Sequence, residues 1–305
     1  MDWKSEIEAA AARIGHRVQA TPVVNVSGFG LDHPVELKLE HMQHTGSFKA
    51  RGAFNALLAS DVPAAGIVAA SGGNHGAAAA FAAHALGIPA RVFVPEMAGP
   101  SKIGLIERIG AELTVVPGEY ANALALAQDY ECSTGAMQIH AYDALETVAG
   151  QGTCIREWEQ QGLQADTVLI AVGGGGLIGG TLAWLQQARR VVAVEPETSC
   201  ALRAAQLAGQ PVDVEVSGVA ANALGARRIG DICFDLAKGI DTVLVKDDAI
   251  KTAQKALWQE RRILVEPAGA TALAALMSGS YRPEPGERVA VLICGGNIAP
   301  DPQLS

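Results

Sequence analysis

Short runs of branched aliphatic residues alternate with longer Ala- and Leu-rich stretches along almost the whole chain. The runs Val35–Leu39, Ile67–Ala70, Arg91–Val94, Leu113–Val116, Val168–Val172, Val191–Val194, Val243–Val245 and Val289–Ile293 predict strands. His75–Leu86, Tyr120–Glu131, Thr147–Gln160, Leu177–Gln187, Ala249–Arg261 and Ala268–Met277 carry apolar positions at helical spacing. Strands without a polar face, separated by helices, imply parallel sheets covered on both sides. The expected class is α/β, with the strands around 67–140 and those after 165 in separate sheets. Ligands of such sheets bind beyond the carboxyl ends of the strands, so Gly-rich turns at those ends are the places to look for chemistry.

Composition narrows the picture. Of 305 residues, 34 are glycine, well above the usual share of about 7%. The 23 basic and 32 acidic residues leave a net charge of −9, and such a chain has no basic surplus with which to displace counterions from nucleic acid. The N-terminal MDWKSEIEAAAARIGHRV has charges throughout and no apolar signal core, which predicts a cytoplasmic protein. The uncharged stretch Val168–Ala188 is long enough for a membrane span. Four consecutive glycines at its centre would break such a helix, whereas a strand, a tight loop and a helix explain them without strain. The five scattered cysteines lack C-x-x-C spacing, so neither disulfides nor zinc is expected.

Four segments are candidates for chemistry. In His44–Ala53, Ser47 reads as a helix cap with Lys49 in the first turn, where the helix dipole lowers an amine's pKa; on this spacing alone a plain surface lysine is the favoured reading. Ser71-Gly72-Gly73-Asn74-His75-Gly76 follows a strand and opens a helix. Its amides would favour a carboxylate, with Asn74 either a hydrogen-bond donor to a ligand or simply the cap. Gly173-Gly174-Gly175-Gly176-Leu177 leaves many amides free for one phosphate. Yet Gly174, Gly176 and Gly179 also satisfy G-x-G-x-x-G, with Glu195 about 20 residues on, as in dinucleotide-binding folds. In Ile293-Cys294-Gly295-Gly296-Asn297, Cys294 could be a small core residue or a neutral partner for a heterocyclic nitrogen.

Together, and in this order, the segments resemble the fold type II family of pyridoxal 5′-phosphate enzymes, in particular its serine/threonine dehydratase and serine racemase branch. Ala149-Gly150-Gln151-Gly152-Thr153 and Ile263–Gly269 extend the resemblance over nearly the whole chain. It implies two domains, each an open, mostly parallel sheet flanked by helices: residues 1–64 plus 142–305 form the larger and 65–141 the smaller. The cofactor is implied to lie in the cleft between them. Lys49 would bind pyridoxal phosphate as an imine, Phe48 would pack on its ring, Asn74 would reach the ring's phenolic oxygen, and Gly173–Leu177 would hold the phosphate. Cys294 would stand at the pyridine nitrogen and Glu266 near the ring. Ser71, Gly72, Asn74 and His75 would hold the substrate carboxylate. The implied reaction is β-elimination from L-threonine or L-serine, giving 2-oxobutanoate or pyruvate plus ammonia. A homodimer is implied, without nucleic-acid or membrane partners.

Three departures sharpen that expectation. Racemases of the branch carry a second serine where this chain has Gly72, so elimination without efficient racemisation is expected. Metal-binding members place an aspartate where Ala201 stands, so no tightly held divalent ion is expected beside Glu195. The sequence ends at Asp301–Ser305, leaving no residues for a regulatory domain, so no feedback by isoleucine is expected. Tyr142 and Asp143 fall where relatives have active-site residues and 217–222 could close over the substrate, both equally readable as ordinary loop, while Gly225–Arg228 could place cations near a substrate side chain or at a subunit contact. Other readings are a dehydratase for 3-hydroxyaspartate or phenylserine, a serine racemase, an NAD-dependent dehydrogenase, and a non-catalytic amino-acid-binding protein.

Overall fold

The branched runs pair into two sheets in a computed structural model that describes residues 1–298 other than Gly99 and Glu119. The terminal Asp301–Ser305 stretch lies outside the described residues. The chain opens with α1 (Trp3–Ile14), β1 (Val23–Val26), β2 (Val35–Lys38) and α2 (Lys49–Ala59). A second group follows: β3 (Ile67–Ala70), α3 (Asn74–Leu86), β4 (Ala90–Pro95), α4 (Pro100–Ile109), β5 (Glu112–Val116), α5 (Tyr120–Thr134) and β6 (Met137–Gln138). The third comprises α6 (Leu145–Gln160), β7 (Thr167–Ala171), α7 (Gly176–Leu185), β8 (Arg190–Pro196) and α8 (Ala201–Ala208). The last comprises α9 (Ala221–Leu224), α10 (Asp231–Leu236), β9 (Asp241–Val245), α11 (Asp247–Arg261), α12 (Pro267–Met277) and β10 (Val289–Leu292).

The larger sheet has six strands in the order β1-β2-β10-β7-β8-β9, and the smaller has four in the order β5-β4-β3-β6. Only β1 runs antiparallel, against β2; the other pairings are parallel. Parallel strands covered by helices on both faces bury all their side chains, and β2, β3, β7 and β10 are buried at every position. The main apolar core lies on the larger sheet, around Leu169, Ile170, Val192, Leu257 and Leu273. Much of the smaller sheet packs against Ala-rich α3. No helix among the described residues is long and apolar enough to cross a membrane.

Part of the glycine surplus sits where helices touch. A β-carbon on Gly150 of α6 would lie 2.7 Å from the Arg51 carbonyl oxygen and from Gly52 Cα of α2. One on Gly152 would lie 3.0 Å from the Gly180 carbonyl oxygen of α7. The Ala-Gly-Gln-Gly-Thr run therefore lets α2, α6 and α7 meet backbone to backbone. This fixes the start of α2 and the start of α7 relative to each other, and both carry site residues.

Candidate active site

The glycine turns all follow strands at their carboxyl ends: 71–76 after β3, 173–176 after β7 and 294–297 after β10. They converge on one cavity lined by Phe48, Lys49, Asn74, Glu266, Cys294 and the segment 171–178, with Ala223, Leu224 and Ala268 completing it.

Lys49 is the first residue of α2, and Phe48, not Ser47, takes the cap position. Ser47 is extended, pairs with Gly295 in an isolated antiparallel bridge, and its buried hydroxyl has no partner among the described residues. The expected serine cap is thus corrected: the backbone here is held by the strand end, where the Phe48 amide donates to the Cys294 carbonyl at 3.2 Å. Behind the first turn, buried Arg51 grips buried Glu40 through two hydrogen bonds of 2.7 and 2.8 Å. Glu157 meets Arg51 at 3.0 Å and Lys38 at 2.5 Å. Arg51 holds the Glu40 carboxyl below its ordinary range in spite of burial. Removing one partner of such a network leaves an uncompensated buried charge, so the network fixes where α2 begins.

The Lys49 ammonium donates to the Ala141 carbonyl at 2.7 Å and lies 5.2 Å from the Phe48 ring centroid. Desolvation lowers its pKa from 10.5 to about 8, so a substantial neutral fraction is present near neutral pH. Across the cavity, burial and the nearby Glu266 push the Cys294 thiol far up, so it stays neutral, and it donates to the Ala268 carbonyl at 3.4 Å. Glu266 caps the position before α12 and accepts from Asn74 Nδ2 at 2.5 Å. A β-carbon on Gly295 would overlap that carboxylate.

The 173–176 loop is a cradle of amides. Among the described residues, none of the amides of Gly173 to Ile178 has an acceptor; the first to donate is Gly179, to the Gly175 carbonyl at 2.7 Å. Gly175 has φ +97°, a conformation natural to glycine. A β-carbon on Gly174 would run into the Tyr142 ring and one on Gly175 into Cys233. Unpaired amides at the start of a helix, beside a cavity, suit a dianionic group. A buried amine for an aldehyde, an anion cradle and a neutral acid for a ring nitrogen fit the chemistry of pyridoxal phosphate. The dinucleotide reading fails: the Glu195 carboxylate accepts from the Leu202 and Arg203 amides at 2.8 and 2.9 Å, capping α8 instead of facing a ribose.

The 71–76 turn meets the cavity from the smaller sheet. Asn74 is not the cap; Gly73 is, and the amides of Asn74, His75 and Gly76 have no acceptor among the described residues. Ser71 Oγ accepts from the Gly73 amide at 3.2 Å. The His75 ring donates to the Ile139 carbonyl at 2.9 Å, and burial takes its pKa down to about 3, so the ring is neutral. A β-carbon on Gly72 would overlap the Ala98 side chain and approach Val94 within 2.7 Å.

Residues left open by the sequence now have places. Tyr142 backs the cradle and donates to the Arg228 carbonyl at 3.3 Å. Asp143 accepts from the Asp231 and Ile232 amides at 3.1 and 3.0 Å, fixing the start of α10. Val219 in the 217–222 segment is tied to Asp247 at 3.1 Å. Among the described residues, no group of three or more His, Cys, Asp or Glu side chains could hold a metal ion. Asn297, at the end of the Cys294 turn, donates to Asn74 Oδ1 at 2.8 Å.

Two open α/β sheets sharing a cavity that carries a lysine, an amide cradle and a neutral thiol define a pyridoxal-phosphate site of fold type II. The sequence profile of the pyridoxal-phosphate dependent enzymes matches residues 14–295, and the chain belongs to that family. It is 35% identical over 302 residues to the phenylserine dehydratase of Ralstonia pickettii, covering 96% of this chain and 92% of that protein. It is 33% identical over 301 residues to an L-threonine ammonia-lyase of Geobacter sulfurreducens, covering 96% of this chain and 75% of that protein. The structure of maize serine racemase superimposes with a TM-score of 0.92 at 29% identity, covering 97% of this chain and 94% of that one. The chain is a pyridoxal-phosphate-dependent enzyme, and the nicotinamide reading is withdrawn.

Proposed function

We propose that the enzyme eliminates water from a small β-hydroxy amino acid, L-threonine or L-serine, and that the released enamino acid takes up water to give the 2-oxo acid and ammonia. The observation that carries this reading is the Lys49 amine, poised near neutrality by burial and facing the cavity opposite a thiol that stays neutral. Pyridoxal phosphate, when bound, supplies the electron sink for charge developing at Cα.

Lys49 would hold the cofactor covalently, and its amine, when free, would serve as general base for the proton at Cα. Gly173–Leu177 would hold the phosphate through their amides, Phe48 would flank the ring and Asn74 would donate to the ring oxygen, with Glu266 holding one end of Asn74. The amides of the Ser71–His75 turn hold the substrate carboxylate; His75 contributes as a neutral group. Cys294 is neutral and cannot hold a positive charge at a ring nitrogen as a carboxylate would. Charge at Cα is then less dispersed, and expulsion of a β-hydroxyl competes better with other fates. Gly72 has no side chain that could carry a proton, which supports elimination over racemisation. Residues 65–141 and the remainder act as two domains closing on the cofactor, in a cytoplasmic homodimer.

The likeness to phenylserine dehydratase supports a second reading, with an aryl group on the β-carbon. One experiment decides: the purified enzyme is incubated with L-threonine, L-serine, 3-phenylserine and 3-hydroxyaspartate while 2-oxo acid and ammonia are measured. A yellow protein whose band is abolished by borohydride and missing in Lys49→Ala, with threonine or serine turned over fastest, is the expected result. Fastest turnover of phenylserine selects the second reading. No ammonia from any of the four, or substantial D-serine from L-serine, would falsify the proposal.

A further inference from the structure

An asparagine amide has two ends of nearly the same shape and opposite hydrogen-bonding character. Packing alone does not decide which end of Asn74 faces the cavity, yet only the NH2 end can donate to a ligand there. We infer that Asn297 is a positioning residue that sets this choice jointly with Glu266, each holding one end of the Asn74 amide, an inference that rests on the role proposed above for Asn74.

The choice is transmitted along a line of groups with one permitted polarity. It starts at the Thr45 carbonyl, a backbone acceptor that cannot turn over. Asn297 Nδ2 donates to it at 2.7 Å, so Asn297 must present its NH2 end on this side. The same Nδ2 donates to Asn74 Oδ1 at 2.8 Å, which places the carbonyl end of Asn74 toward Asn297. Asn74 must then turn its NH2 toward Glu266 and the cavity, and Nδ2 donates to Glu266 Oε1 at 2.5 Å. One amide hydrogen of Asn74 goes to Glu266, leaving the other for a ligand acceptor.

The start of the line is rigid. Thr45 and Gly46 both have positive φ, +59° and +73°, and the Gly296 amide donates to the Gly46 carbonyl at 2.9 Å. A β-carbon on Gly46 would overlap Asn297 Oδ1, so the turn closes on Asn297 only because glycine is there. The line also joins the two sheets: Asn297 follows β10 of the larger sheet, and Asn74 opens the helix after β3 of the smaller one.

Asn297→Asp is the diagnostic change, since it keeps the shape and can only accept. Its carboxylate then competes with Glu266 for the Asn74 NH2 and repels the Asn74 carbonyl oxygen, so the donor end is no longer held toward the cavity. The holoenzyme and its variants are compared by the dissociation constant for pyridoxal phosphate and by the pH titration of the visible band, with circular dichroism to verify folding. The expected result is at least about tenfold weaker cofactor binding in N297D, the size of one lost hydrogen bond with its misdirected partner. The titration of the band should move as well. In an Asn74→Ala background the same substitution should change the constant less than threefold, because the group it controls is gone; this also accounts for the added charge. Should N297D not fold, Asn297→Ala in the same two backgrounds carries the test, with a smaller loss confined to the Asn74 background. Unchanged affinity, or an equal loss with and without Asn74, overturns the inference. A wild-type protein that takes up no pyridoxal phosphate instead overturns the function proposed above.

Discussion

Lys49 keeps its amine against a backbone carbonyl with no carboxylate beside it, and burial brings its pKa from 10.5 to about 8. The unfolded chain therefore binds more protons than the folded one between those values, and stability must rise with pH across that window. The cofactor-free protein should gain stability from pH 8 to 10 relative to Lys49→Met, with a slope difference on the order of 1 kcal/mol per pH unit at most. Urea unfolding at several pH values measures it, and parallel curves for the two proteins would contradict the burial of the amine. At this scale the sequence was informative where a residue type has few uses: a lysine, an asparagine and a cysteine beside glycine turns. It misled at Ser47, whose hydroxyl caps nothing because Gly295 pairs with its backbone. It was silent on Asn297, whose role depends on a partner more than two hundred positions away in the chain.

Helix α8 starts on a carboxylate borrowed from a strand end, not from its own flanking residue. Burial of Glu195 outweighs the two amides and raises its pKa from 4.5 to about 7. The folded state then binds more protons than the unfolded one between those values, so this group lowers stability as pH rises through the window and levels off above 7. Glu195→Gln, which keeps an acceptor for the helix but does not ionise, should flatten that decline in thermal melts between pH 4.5 and 7; an unchanged slope would show that the carboxylate is solvated. The central strands were legible because burial on both faces leaves an uninterrupted apolar run. The missed elements lacked such a pattern. Strand β1 is partly exposed at the sheet edge, β6 has two residues, and α1 hides a buried stripe of Ile7, Ala10 and Ile14 among charges.

The two sheets meet at the cavity through few polar contacts, chiefly Asn74 with Glu266 and Asn297. A ligand that touches both sides should therefore couple them. Stripping pyridoxal phosphate is expected to lower the melting temperature by several degrees, and restoring it at a hundredfold excess over its dissociation constant to return about 2.7 kcal/mol. Lys49→Ala should recover only part of this, through the amide cradle; calorimetry of the stripped and reloaded proteins checks both, and identical melts would mean that the sheets do not share the ligand. The topology has one more consequence. The smaller sheet leaves the chain after α2 and returns before α6, and its first and last strands are neighbours, with Ile67 paired to Met137. Because these strands run parallel, the cut points near residues 66 and 139 lie about 11 Å apart, one strand spacing across and three residues along. Such a unit can be exchanged between relatives as a cassette, cut near residues 66 and 139, carrying its own 71–76 turn while the lysine, cradle and thiol stay behind. The graft's counterpart of Asn74, and the face of α3 that packs on Phe54 and Leu57 of α2, would have to fit the new host.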